Sequence, residues 1–362
     1  MAEQHTRSLA RSQSPVIGWC CSYFPVEILE SAGIVPFRLL PLPPAEMGDP
    51  WLNPNFCPYV RAVMGEGLSD AYPFLSGLVI MNTCDGMRRL FDAWSHFRKL
   101  PFLHLMDLPR QTGPAALKRF RDEIEHLTSR VTDFVGSPVS GDVLKASFRA
   151  SNRSLRLHRH LRDLRGQGRL NLKDSEMVEL LRAGGILPRK MHDALIERVI
   201  RDCVGGEHPQ GIPILLTGSV LENTEIVSII EACGGRIVAE DLCVSSRRSD
   251  EPISLKEAPL TALARHYLLS PPCARMQETQ IRMAYLLDLI ASSKARGVIY
   301  YVLKFCDTFL YEAPVLKLKL DQLGIPMILI ESEYRRGRGG GVETRIQAFL
   351  EMLDRPDMAP FP

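Results

Sequence analysis

The chain has 362 residues, 45% of them hydrophobic and 24% charged, with a formal net charge of +2. That length and composition suit a soluble globular protein of two ordinary domains, each with its own core. They exclude a basic nucleic-acid-binding domain, an acidic tail and a disordered chain.

The first fourteen residues are polar, lack the apolar centre of a signal peptide and read as a disordered tail. No apolar run reaches the roughly 18 residues needed to span a bilayer, so no membrane partner and a cytoplasmic location are expected. From residue 15 onward, short apolar runs alternate with amphipathic ones, the pattern of parallel α/β sheets. Strands are expected at Val16–Gly18, Val35–Leu40, Gly77–Asn82 and Phe102–Met106. Helices are expected at Pro25–Ala32, Asp85–Lys99 and Gly113–Arg130, with Pro25 in a first turn and Gly33 as a stop. A helical region then runs from about Ser140 to Asp202, interrupted at Gly166 and Gly168 and broken at Gly184–Pro188.

Alternation resumes with strands at Ile212–Thr217, Arg236–Asp241, Gly297–Leu303 and Pro326–Glu331. The helices between and after them are expected at Glu222–Cys233, Leu260–Leu268, Arg275–Ser292, Ala313–Leu323 and Val342–Leu353. The fold class is therefore α/β: two open, mostly parallel-sheet, Rossmann- or flavodoxin-like lobes joined by a helical segment. Residues 15–139 form the first lobe, 140–205 the connector and 206–362 the second lobe. No sequence repeat links the lobes, although they can share a topology. In such folds the ligand sits at the carboxyl ends of the strands, which here means a cleft between lobes.

In the connector, Lys145, Arg149, Arg153, Arg156, Arg159, Arg162, Arg165, Arg169 and Lys173 recur every three or four residues. They read as a solvated helix face, with docking of an acidic partner or phosphates as the rival reading. His158 and His160, inside that stripe, read as surface residues.

The chemistry lies in the nine cysteines. In a reducing compartment they are packing groups, metal ligands or reactive thiols rather than disulfides. Cys203 and Cys233 lie in helix-like apolar settings and read as packing. Cys84 and Cys306 each follow a strand-like run and precede an aspartate, and Cys21 follows the first strand. Thiols at strand ends of an α/β chain place ligands where the fold gathers them, and an iron–sulfur cluster needs no fixed spacing. No C-x-x-C run is present; Cys20 and Cys21 are adjacent.

The surrounding strings sharpen this. C-S-Y-F-P-V-E-I-L-E-S-A-G at 21–33 resembles the start of the 2-hydroxyacyl-CoA dehydratase family, which includes benzoyl-CoA reductase subunits and double-cubane-cluster reductases. Four more strings resemble the same family in the same order: N-T-C-D-G at 82–86, G-G-R-I-V-A-E-D-L-C at 234–243, L-K-F-C-D at 303–307 and T-R-I-Q-A-F-L-E at 344–351. The resemblance spans roughly residues 16 to 354.

It implies a [4Fe-4S] cluster on Cys21, Cys84 and Cys306, with Cys20 the rival for the first position. Three thiolates leave one iron open to act as a Lewis acid while the cluster supplies an electron to an acyl-CoA thioester. In the dehydratases the resulting ketyl radical expels the neighbouring hydroxide; in the reductases the electrons stay in the product. The resemblance also implies an ATP-hydrolysing iron–sulfur activator protein, since this chain has no G-x-x-x-x-G-K-[ST] loop. A related sister subunit, or a second copy of the chain, completes the enzyme.

Two features depart from the family. Gly341 stands where a glutamine is expected. Cys57, Cys243 and Cys273 add thiols that, with Cys20 or Cys21, Cys84 and Cys306, make six, the number for a double-cubane [8Fe-9S] cluster. Packing is the rival explanation for these three.

Glu27, in the first turn of its helix, reads either as a proton-moving group or as an acid that complements the helix dipole. Asp85 and Asp307 read as helix caps. Thr217-Gly218-Ser219 reads as a strand-end turn or an oxygen-binding site. The glycine-rich run Gly337–Gly341 reads as a loop or an anion cradle.

Overall fold

The computed structural model describes the chain except for residues 1–5, 7, 12, 43, 206–209, 222, 245–246, 248–249, 335–339 and 356–362. Its first lobe is a four-stranded parallel sheet: β1 (Val16–Trp19), β2 (Val35–Arg38), β3 (Leu75–Asn82) and β4 (Phe102–Asp107), in the order β2-β1-β3-β4. The second lobe repeats that order with β5 (Ile212–Gly218), β6 (Gly235–Asp241), β7 (Gly297–Leu303) and β8 (Met327–Ser332), as β6-β5-β7-β8, again all parallel. The lobes thus share a topology despite the absence of a sequence repeat.

The strands form where the apolar runs are continuous, because helices cover both faces of a parallel sheet. β7, Gly-Val-Ile-Tyr-Tyr-Val-Leu, is buried along its whole length. The covering helices are, in the first lobe, α1 (Val26–Ser31), α2 (Pro58–Leu68), α3 (Asp85–Phe97) and α4 (Pro114–Val135). The connector holds α5 (Gly141–Gly166), α6 (Asp174–Ala183) and α7 (Arg189–Cys203). The second lobe adds α8 (Glu225–Ala232), α9 (Pro259–Leu268), α10 (Thr279–Ser293), α11 (Asp307–Gln322) and α12 (Gly340–Leu353). Helix α2 has no counterpart among the expected elements. Helix α11 begins six residues before its expected start and carries Pro314 inside it.

The connector has a small core of its own around Leu161, Leu164, Met177 and Ile196. Its basic stripe is partly used at home: Arg153 pairs with Glu197, Arg162 with Asp250, and buried Arg165 with Asp174. His158 is not a surface residue; it is buried with its ring 5.2 Å from that of His192. In the expected disordered tail, Thr6, Ser8 and Leu9 are helical and Leu9 joins the core. The glycine-rich run at 337–341 lies largely outside the described residues, and Gly341 is exposed on α12. No helix among the described residues is long and apolar enough to cross a membrane.

One glycine is dictated by close approach. Gly218 ends β5 at φ +132°, and a Cβ there would lie 1.8 Å from the carbonyl oxygen of Tyr301 on β7. Gly218→Ala must push the two central strands apart and hold a strained backbone, at a cost of about 2–4 kcal/mol. A lowered urea midpoint is the expected result; an unchanged midpoint would refute the close approach.

Candidate functional site

The carboxyl ends of both sheets face one another. Between them lies a cavity of about 300 Å³ lined by seven of the nine cysteines: Cys20, Cys21, Cys57, Cys84, Cys243, Cys273 and Cys306. Cys203 and Cys233 are elsewhere. The seven are free thiols.

The topology explains the convergence. Cys21 follows β1 and Cys84 follows β3, the central pair of the first sheet; Cys306 follows β7 and Cys243 follows β6. Cys57 precedes α2, and Cys273 sits in the loop between α9 and α10. Neighbouring strands whose crossovers go to opposite faces of the sheet leave a crevice at their carboxyl ends, and here two such crevices meet.

Three of these thiols occupy helix N-caps: Cys57 on α2, Cys84 on α3 and Cys306 on α11. The Cys84 sulfur accepts the Met87 N–H at 3.4 Å. The caps are therefore the cysteines, and Asp85 and Asp307 are first-turn acids rather than caps. Helix N-termini favour negative charge, so three of them pointing at one place stabilise thiolates or an anionic group. Just before Cys306, Phe305 lines the cavity in the left-handed region at φ 60°, an uncommon conformation for a bulky residue.

The strongest thiol–thiol interactions fall into two sets. Cys57 donates to Cys306 and lies near Cys84. Cys21 lies near Cys273 and Cys243. Each set draws on both lobes. The hydrogen bond from Cys57, aided by Arg275 and Ser219, lowers the Cys306 thiol to about 6 against the effect of burial. The same bond, then burial, pushes Cys57 well above its ordinary value. Burial pushes Cys21 up to about 12 and Cys20 up to about 11. Cys20 lines the same cavity and has its own side-chain partner in Tyr59.

Two arginines complete the lining. Arg275 donates to the Thr83 carbonyl at 3.4 Å and to Thr308 Oγ1 at 3.1 Å, so it spans the lobes. Burial opposes its charge, but Cys84, Cys273, Cys306 and Cys21 raise its pKa above the usual arginine value. Arg247 donates to Cys273 Sγ at 3.5 Å and is held by Asp241 at 2.7 Å. Neither arginine carries a sequence signal, since each acts on residues far away in the chain. Thr217 donates to Asp241 at 2.8 Å, and Ser219 lines the cavity and bonds Cys306.

Glu27 is not in this cavity. It is buried in an adjoining pocket of about 110 Å³ that shares Ser22, Cys243 and Arg247 with the thiol cavity. Tyr267 donates to it at 2.8 Å, Ser151 also donates to it, and Arg189 lies 3.4 Å away. Burial alone would raise its pKa; Arg189, Ser151, His266 and Tyr267 hold it below the ordinary carboxylate value. It is therefore a carboxylate in an ion-pair network.

Among the described residues, no three His, Cys, Asp or Glu side chains close on one point as a single metal ion requires. Thiols arrayed around a cavity suit a polynuclear cluster instead, in which different irons take different thiolates. Soft thiolate donors, converging helix N-termini and buried cations all fit an anionic iron–sulfur group.

Comparison with known proteins agrees with this architecture. The model of the family described as 2-hydroxyglutaryl-CoA dehydratase, D-component, matches residues 21–353. The chain is 27% identical to YjiM of Escherichia coli K12, named as a dehydratase subunit, over 94% of this chain and 91% of that one. It is 23% identical to a benzoyl-CoA reductase subunit of Thauera aromatica, over 93% and 90% of the two chains. It is 20% identical to the (R)-phenyllactyl-CoA dehydratase beta subunit of Clostridium sporogenes, over 96% and 94%. With nearly its whole length matched, this chain belongs to the 2-hydroxyglutaryl-CoA dehydratase D-component family, among the subunits of dehydratase and reductase enzymes.

Proposed function

We propose that this chain is the iron–sulfur subunit of a reductase in that family, holding a double-cubane cluster on two sets of three thiols. Cys57, Cys84 and Cys306 form one set; Cys21, Cys243 and Cys273 form the other. The observation that carries this reading is the gathering of all six thiols, three beyond the number one open cubane needs, around a single inter-lobe cavity. Cys21 rather than Cys20 is the ligand, because Cys20 is turned to Tyr59.

When bound, such a cluster supplies electrons of low potential. The protein's part is to hold the thiols, to balance the negative charge with Arg247, Arg275 and three helix N-termini, and to wall the site between two lobes. An ATP-hydrolysing iron–sulfur activator is the proposed source of electrons, and a small molecule entering the cavity is the proposed acceptor.

A second reading is one [4Fe-4S] cluster on Cys21, Cys84 and Cys306 with an open iron, acting on an acyl-CoA beside a sister subunit. Arg275, which interacts with all three of those thiols, favours it, as do the acyl-CoA names of the relatives. Iron and acid-labile sulfide per chain, on protein made and purified without oxygen, decide the matter. About eight irons are expected for the double cubane and about four for the open cubane. A folded chain with none would refute both.

A further inference from the structure

Helix α11 turns Phe309, Ala313, Leu316 and Leu320 into its lobe. At 3.6 residues per turn, the side farthest from that core carries Tyr311, Val315 and Leu318. These three are 78%, 50% and 63% exposed, and Pro314 beside them is exposed too. Single apolar residues scattered over a surface are ordinary, but three large ones in helical register opposite the core mark a contact face. The solvent side of α4 shows the usual pattern, with Lys118, Arg119, Asp122 and Glu125 outward. None of the three lines the thiol cavity or the Glu27 pocket, so neither site explains them.

The stripe is also symmetric along the helix. Asp307, Tyr311, Pro314, Val315, Leu318 and Gln322 are all exposed, and their spacing reads the same in both directions about a point between Pro314 and Val315. A two-fold axis through that point lays a second α11 antiparallel on the first. Tyr311 then meets the partner's Leu318, Pro314 meets the partner's Val315, and Asp307 meets the partner's Gln322, whose amide donates to the carboxylate. Exposed Lys319 falls within one turn of the partner's Asp307, so base meets acid, and each helix N-terminus lies beside the partner's C-terminus. A two-fold contact requires a patch that is complementary to itself, and this stripe is. A sister subunit of different sequence requires no such symmetry in this chain. Helix α11 starts from Cys306, so the contact begins about 8 Å along the axis from a cavity thiol.

We propose that the outer face of α11 is the two-fold contact of a homodimer, and that its occupant is a second copy of this chain. The inference goes beyond the redox reading and does not depend on it.

Sedimentation velocity on the full chain, purified without oxygen and run over a hundredfold range of concentration, is expected to show a species of twice the chain mass. Tyr311→Lys and Leu318→Glu are each expected to weaken self-association at least a hundredfold, because each change is made twice across the axis. Both side chains face solvent in a single chain, so the circular-dichroism spectrum and the iron content should match the parent's. Mixing the two variants is expected to restore a dimer. The introduced lysine of one copy then meets the introduced glutamate of the other, and the native Tyr311–Leu318 pair survives on the far side of the axis. A parent that stays monomeric throughout overturns the proposal. So does a dimer that survives both substitutions, and so do two monomeric variants that fail to pair when mixed. If a variant does not fold, a mixture of plain and isotope-labelled parent is cross-linked through its lysines. Mixed-label peptides joined through Lys317 or Lys319 are expected, and their absence overturns the contact. A chain without iron that still dimerises refutes the redox reading alone, and an iron-loaded monomer refutes the dimer alone.

Discussion

Replacing Cys57 with alanine is expected to cut the iron bound per chain at least by half, from about eight to about four or fewer. Cys57 belongs to the set with Cys84 and Cys306, and its thiol donates to Cys306. A bridged pair of cubanes with three thiolates each cannot lose one without losing a cubane or the bridge. If the open single cubane on Cys21, Cys84 and Cys306 is correct, the same variant keeps about four irons. The fold should tolerate the change: Cys57 is half-buried and its side chain makes no cap hydrogen bond, so the cost is about 1 kcal/mol. Cys84→Ala is expected to abolish cluster binding if the cluster is the single open cubane, and to cut the iron at least by half if it is the double cubane, because Cys84 is a ligand in both. Cys203→Ala, in the connector core, is the control and should bind iron like the parent. Parent-like iron in Cys84→Ala would show that the thiol cavity is not the cluster site.

Much of this arrangement is legible in the sequence. All eight strands lie within two residues of their expected bounds, and the signal is plainest in β3 and β7, where an apolar run is buried along nearly its whole length. Cys84 and Cys306 can be placed at strand ends for the same reason. Helix α2 escapes the periodicity although Cys57-Pro58 marks its start, proline suiting the first helical position. The N-terminus of α11 is obscured by Pro314, which sits inside it. The pairing of thiols is out of reach: Cys21 meets Cys243 and Cys273 only because the two lobes face each other, and no local pattern encodes that. The same holds for Arg275 and Arg247, whose partners are thiols and carbonyls on distant segments. His158 reads as exposed because a basic stripe dominates its helix, while α7 covers that part of α5 and buries the ring against His192.

The support beneath the thiols yields the second large expected effect. Asp241 is wholly buried at the end of β6, between Arg247 at 2.7 Å and Arg282 at 3.0 Å, and accepts from Thr217. Arg282 also pairs with Glu312 and donates to the Pro272 carbonyl at 2.7 Å, next to Cys273. Asp241→Asn leaves two buried guanidinium groups with too little negative charge, at a cost of about 3–5 kcal/mol. The urea midpoint should fall at pH 7. Iron binding should weaken with it, because Arg247 and Arg282 both fix the Cys273 loop. Acid should act on the same group. Burial alone would raise the Asp241 pKa, but Arg247 and Arg282 hold it far below its ordinary 3.8. A carboxylate depressed in the folded state contributes stability that is complete above its unfolded pKa and is lost as pH falls toward the folded one. The parent should therefore lose stability steeply below about pH 4, and the Asn variant should lack that share of the slope. A variant with the parent's midpoint at pH 7 and the parent's acid slope would mean that the two arginines are satisfied without Asp241, and that the thiol cavity does not depend on this ion cluster for its shape.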